Sequence, residues 1–296
     1  MRKVIISHDY DGCFDIMTPE GLELAINGPN KASWDKYTIE TGATILDLIT
    51  AARDQHERFL RDLTKDADEV LVYVGSDRQS YELDQLNQKA HHNGSVFPAL
   101  EELCRTYTTA IQKWSYATLL MADPLISGKG PFRRERGTAY KLIQLKDEEK
   151  QLVVNEPPLR FKNEKGVLCR SKIPMLLNQM WDAYYNNPDA TELQFHFIDD
   201  REDLIMDVLS KLNPVYMPPK MTLTASRFDH VGVMTKDDDR SHQVYGTIVS
   251  KARGSGALVK FFKEHPFFVA VVGLVAGETV VMAKTASTGA PLSLRN

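Results

Sequence analysis

The chain has 296 residues, 43% hydrophobic and 26% charged, with a formal net charge of −4. That balance excludes a disordered, collagenous or disulfide-stapled chain, and the length suffices to bury a sizeable core. With 36 basic against 40 acidic residues there is no basic field of the kind nucleic-acid binding needs, so no nucleic acid is expected as a partner.

In chain order, the first element is the β-branched run Val4-Ile5-Ile6, which reads as a buried strand ended by His8-Asp9-Tyr10-Asp11-Gly12. An apolar run this short is no signal-peptide core, so the chain is expected to be made in the cytoplasm as a soluble protein. Ile45, Leu48, Ile49, Ala52, Phe59, Leu60 and Leu63 recur at helical spacing and predict an amphipathic helix over 44–63. A second apolar run, 70–74, ends at Gly75-Ser76-Asp77-Arg78. Residues 98–111 read as a helix and 139–145 as a strand, separated by a loop with the one local basic cluster, Lys129, Arg133, Arg134 and Arg136. This whole stretch, about 80–150, is expected to be an insertion over the sheet edge.

Ile173, Leu176, Leu177, Met180, Trp181 and Tyr184 then share one helix face, with Ser171 as the expected N-cap. A third apolar run, 193–198, ends at Asp199-Asp200-Arg201, and Leu204, Ile205, Val208, Leu209 and Leu212 mark the helix after it. Residues 221–225 suit a last strand. Strands alternating with helices predict an α/β fold, a Rossmann-like parallel sheet flanked by helices. We expect it to occupy 1–235, with a helical insertion. A C-terminal appendage over 236–296 would follow the composition shift marked by Asp237-Asp238-Asp239 and Gly254-Ser255-Gly256.

In parallel α/β sheets, ligand chemistry sits beyond the carboxyl ends of the strands. Asp9 and Asp11 from one strand end, and Asp199, Asp200 and Asp203 from another, would therefore converge. Convergent carboxylates repel one another unless a hard cation lies between them, and an all-oxygen ligand set favours Mg²⁺. Mg²⁺ held by few carboxylates accepts a phosphate oxygen, which points to phosphoryl transfer. The cysteines offer no alternative. Cys13, Cys104 and Cys169 have no zinc-ligand spacing, and none is followed by the Arg that a cysteine phosphatase needs to cradle phosphate.

The order Asp9-x-Asp11-Gly12, then Ser76, then Lys172, then Asp199-Asp200-x-x-Asp203 resembles the four motifs of the haloacid-dehalogenase (HAD) superfamily. The segments HDYDGC, VGSDRQS, SKIPMLLNQ and FIDDREDL look most like HAD-type phosphatases among effectors secreted by intracellular bacteria such as Legionella, some of them phosphotyrosine phosphatases. The resemblance implies a nucleophilic Asp9 that forms an aspartyl-phosphate, and Asp11 as general acid and then base. It implies phosphate binding by Ser76 and Lys172, and Mg²⁺ binding by Asp9, Asp11 (through its carbonyl) and Asp200, with Asp199 and Asp203 in support. Tyr10 and Arg78 are expected as substrate contacts. Two departures stand out: Cys13 follows the glycine where Thr or Val is usual, and Asp199 stands where many members have Gly. Neither removes a catalytic group.

The expected activity is thus Mg²⁺-dependent phosphomonoester hydrolysis, with phosphotyrosine on a protein as preferred substrate. A small-molecule or nucleotide phosphatase, and a non-catalytic phosphate-binding interaction module, are the alternatives. The tail adds a further expectation. Residues 265–277 carry no formal charge, and Lys260, Lys263 and Lys284 flank the apolar stretch. That stretch is shorter than the roughly twenty residues a membrane span needs, but it suits contact with a membrane surface. The end, TASTGAPLSLRN, would suit a transport signal for secretion into a host cell.

Overall fold

A computed structural model describes residues 2–28, 31–79, 81–120, 171–230, 232 and 242–252. Its strands are β1 Lys3–His8, β2 Glu69–Val74, β3 Lys113–Tyr116, β4 Leu193–Asp199, β5 Met221–Phe228 and β6 His242–Val249. Its helices are α1 Pro19–Asn27, α2 Lys31–Thr41, α3 Ile45–Thr64, α4 Tyr81–His91, α5 Val96–Tyr107, α6 Ile173–Tyr185 and α7 Glu202–Lys211. The strands form one sheet in the order β3-β2-β1-β4-β5-β6, parallel except for β6, which runs antiparallel to β5.

The α/β expectation holds, and the strand order explains its sequence pattern. Central parallel strands are covered on both faces and so read as unbroken apolar runs. Ile5, Ile6, Val72, Val74, Phe195 and Phe197 are all buried. Side chains alternate along β1, so His8 and Ser7 face opposite layers. His8 meets His56 of α3, whereas Tyr73, paired in register with Ser7, donates its hydroxyl to Asp182 of α6. Helices α3 and α5 thus form one layer, and α6 forms part of the other.

Helix α3 begins and ends within about a residue of the bounds its periodicity predicts. Thr44 is its N-cap, in a capping box with Asp47. The α6 N-cap is Lys172 rather than Ser171, although the Ser171 hydroxyl still accepts the Ile173 N–H at 3.4 Å.

Two boundaries move. Residues expected to begin an insertion near 80 belong instead to the α/β unit, since α5 packs on β2 and β3 and β3 is the sheet's edge strand. Only four residues long and alternating as Lys113-Trp114-Ser115-Tyr116, β3 gives too short a pattern to be read from sequence. At the other end, β6 lies past the boundary expected near 235 and completes the same sheet. The expected 139–145 strand, the basic cluster and the apolar tail lie outside the described residues. Among the described residues, no helix is long and apolar enough to cross a membrane.

Candidate active site

Strand order reverses at β1, which pairs with β2 on one side and β4 on the other. Loops leaving β1 and β4 at such a switch point diverge to opposite faces and leave a crevice. Asp9 and Asp11 follow β1, and Asp199 and Asp200 end β4, so the topology itself brings these acids together. The Asp9 N–H donates to the Ile198 carbonyl at 2.8 Å, tying the two strand ends directly. Gly12 then turns the chain with φ +78°, a conformation L side chains rarely adopt. A Cβ on Gly12 would come within 2.7 Å of Asp200 Oδ2, so this glycine also makes room for the second carboxylate.

Lys172 enters from the N-terminus of α6. Its Nζ donates to Asp9 Oδ1 at 2.9 Å and to the Gly75 carbonyl at 2.8 Å, and lies 3.4 Å from Asp199 Oδ2. Burial pushes its pKa down, but Asp9, Asp199 and Asp77 together more than offset that and keep the ammonium charged. One ammonium does not balance the acids around it. Burial, with help from neighbouring acids, raises Asp9 well above the carboxylate range, and burial also raises Asp199. Asp200 is pushed up to about 8 by burial and by the charge of Asp199. A pocket that raises neighbouring carboxylates this way is short of positive charge, and a divalent cation would supply it.

Ligand atoms of Asp9, Asp200 and Cys13 lie within 4.8 Å of one another. The oxygen donors fit a hard cation; the thiol does not. Cys13 is buried, its thiol donates to the Phe228 carbonyl at 3.1 Å, and burial with the nearby Asp200 raises its pKa, so it stays protonated. Asp199, expected in support of the metal ligands, lies on the Lys172 side of the cluster. It is fully buried, accepts the Arg201 N–H at 3.0 Å and faces Lys172, so in this arrangement its charge is set against the ammonium. Asp203 is turned outward into a pair with Arg201.

Asp11 is gripped. Its Oδ1 accepts from Arg78 Nη2 at 2.6 Å and Asn93 Nδ2 at 2.8 Å, and its Oδ2 from Arg78 Nε at 3.2 Å and Ser76 Oγ at 3.3 Å. Burial raises its pKa, but the Arg78 hydrogen bonds and charge, together with Asn93, outweigh burial and hold it below the usual range. Arg78 also donates to the Gly94 carbonyl, pairs with Asp84 at 3.3 Å and stacks over the Tyr10 ring.

Tyr10 and Arg78 are therefore not substrate contacts in this arrangement. Both are fully buried, because the guanidinium needs enclosed acceptors and the Tyr10 hydroxyl bonds the Asn93 carbonyl and Thr18. Sequence reasoning missed His56, Asn93, and Asp15, whose Oδ2 accepts from Asn93 Nδ2 at 3.1 Å. His56 carried a signal: it interrupts the apolar face of α3 between Ala52 and Phe59, and a polar residue there needs a partner.

Compared with known protein families, curated proteins and solved structures, this chain matches none. Its own geometry and the order of its motifs carry the functional reading.

Proposed function

We propose that this chain is a Mg²⁺-dependent phosphomonoester hydrolase with a HAD-like site, working through an aspartyl-phosphate on Asp9. One observation carries the reading: the Asp9 carboxylate, at the strand-order switch point, faces the Lys172 ammonium on one side and Asp200 on the other. A carboxylate held by a buried cation at a crevice is set up as a nucleophile, and the same cation offsets charge on an incoming phosphoryl group. The Asp9 and Asp200 carboxylates, with the Asp11 backbone carbonyl, would hold Mg²⁺. When bound, the ion would neutralise charge shared between phosphate and carboxylates.

In the first step an Asp9 carboxylate oxygen attacks phosphorus, the ester P–O bond breaks, and Asp11 gives a proton to the departing oxygen. In the second, Asp11 takes a proton from water, the water oxygen attacks phosphorus, and the P–O bond to Asp9 breaks to release phosphate. Ser76 and Lys172 would orient the phosphoryl oxygens.

The grip on Asp11 bears on the substrate. A carboxylate accepting four hydrogen bonds is ionised but weakly basic, with no lone pair left free, so both proton steps require the Arg78 fork to loosen, the acid step most of all. A phenol, with a pKa of about 10, leaves with less help than an alkyl alcohol. That favours an aryl phosphate such as protein phosphotyrosine, in line with the motif resemblance. The same grip is what favours the second reading, a phosphate-binding module without turnover.

The test is phosphate release from p-nitrophenyl phosphate and from a phosphotyrosine peptide, with Mg²⁺ and with EDTA, for the wild type and Asp9→Asn. Metal-dependent turnover lost in Asp9→Asn supports the mechanism. Phosphate binding without release, by a folded protein loaded with Mg²⁺, supports the module.

A further inference from the structure

Behind the nucleophile lies a chain of buried polar side chains that the proposed reaction does not use. His8 Nδ1 is 2.8 Å from the Asp9 carbonyl oxygen, His8 Nε2 is 2.9 Å from His56 Nε2, and His56 Nδ1 is 2.8 Å from Tyr107 Oη. His8 and His56 are fully buried and Tyr107 nearly so. Phe14 packs edge-on against His8, and Phe228 lies against His56.

The direction of every bond in this chain follows from one end. A carbonyl can only accept, so His8 carries its proton on Nδ1. In a neutral ring its Nε2 must then accept, which requires His56 to donate from Nε2. His56 Nδ1 is left as acceptor, and the Tyr107 hydroxyl donates to it. Both rings suit the neutral form, since each is fully buried and its nitrogens meet only a carbonyl, the other imidazole and a hydroxyl, none of them an anion.

We propose that Tyr107, His56 and His8 are positioning residues that fix the backbone of Asp9 through this one-way hydrogen-bond chain. The chain completes the restraint of Asp9. Its N–H is held by Ile198, its carboxylate by Lys172, and its carbonyl by His8. The polypeptide leaves β1 at Asp9 and turns through left-handed Gly12 three residues later, and a small misplacement of an attacking atom costs rate steeply. Using α3 and α5 for the purpose ties the nucleophile to the packed helical layer rather than to its own loop.

The proposal rests on the phosphatase reading for its kinetic half, and the tests separate the two. Histidine ¹⁵N NMR on the full chain reads the tautomers without any turnover. We expect His8 protonated on Nδ1 alone and His56 on Nε2 alone; an Nε2–H His8, or a charged ring at either position, overturns the chain. In the p-nitrophenyl phosphate assay, Tyr107→Phe should lower kcat about tenfold with KM unchanged. Adding it to His56→Leu should cost nothing more, because the hydroxyl then has no ring to hold. A Tyr107→Phe kcat equal to wild type, a change in KM alone, or independent effects of the two substitutions overturns the positioning role. A wild type that does not turn over defeats the phosphatase reading and the kinetic role with it, while the tautomers still decide the chain.

Discussion

Lys172 Nζ sits 2.9 Å from Asp9 Oδ1, although 163 residues separate the two along the chain. The same ammonium is 3.4 Å from Asp199 Oδ2, so a single buried cation serves a pair of buried carboxylates. Removing it should be costly. Lys172→Met leaves both acids unpaired, and breaking a buried pair in this way typically destabilises by about 3–5 kcal/mol. Urea unfolding at neutral pH should show that loss, with part of it recovered in Lys172→Met/Asp199→Asn. A full-stability Lys172→Met would mean that the acids are already protonated.

Stability should depend on pH through Asp200. Its carboxyl is raised from an ordinary 3.8 to about 8 in the fold. The unfolded chain therefore gives up this proton at lower pH than the folded chain does, and as pH climbs from about 4 to about 8 stability drains away. Buried His8 and His56 act in the opposite sense below neutrality, so the comparison must be with Asp200→Asn. Without metal, the variant's advantage in Tm should widen from about pH 5 to about pH 8. Mg²⁺ should raise the wild-type Tm at the upper end and leave the variant nearly unmoved. A constant gap across that range would contradict the raised carboxyl.

Gly12 separates space from chemistry. In Gly12→Ala the new Cβ meets Asp200 Oδ2 at 2.7 Å, and the left-handed backbone adds about 1–2 kcal/mol of strain. Displacing a carboxylate from a cation site should weaken Mg²⁺ binding by about 10–100-fold, the range seen when support for a metal ligand is lost. Calorimetric titration of Mg²⁺ would measure it; an unchanged affinity would place the ion away from Asp200.

Arg78 is a structural tie before anything else. It is wholly buried with Asp84 and reaches Asp11, Asn93 and Gly94. Arg78→Ala should destabilise by about 3–5 kcal/mol in chemical denaturation, and Arg78→Lys should restore charge without the planar fork. If instead Arg78 contacts substrate, Arg78→Lys should raise KM while leaving the denaturation midpoint at the wild-type value.

Lys172 joined the candidate group only through the resemblance in motif order, whereas the strands that end in polar clusters, Asp9 and Asp11, Ser76, and Asp199 and Asp200 among them, and the helices with a clean apolar stripe were legible in the amino-acid sequence itself. These are local properties: an apolar run covered on both faces, a 3.6-residue period, and a polar cluster where a strand stops. What each member of the group touches came only with the packed fold. Asp199 and Asp200 are adjacent in sequence, yet one faces the ammonium and the other faces Asp9, because consecutive side chains at a strand end leave in different directions. The same holds for Arg78, drawn inward by Asp84, Asn93 and Gly94, and for His56 and Tyr107, which reach back to the nucleophile from helices far along the chain. Such partners are chosen by packing between layers, and no periodicity along the chain records them.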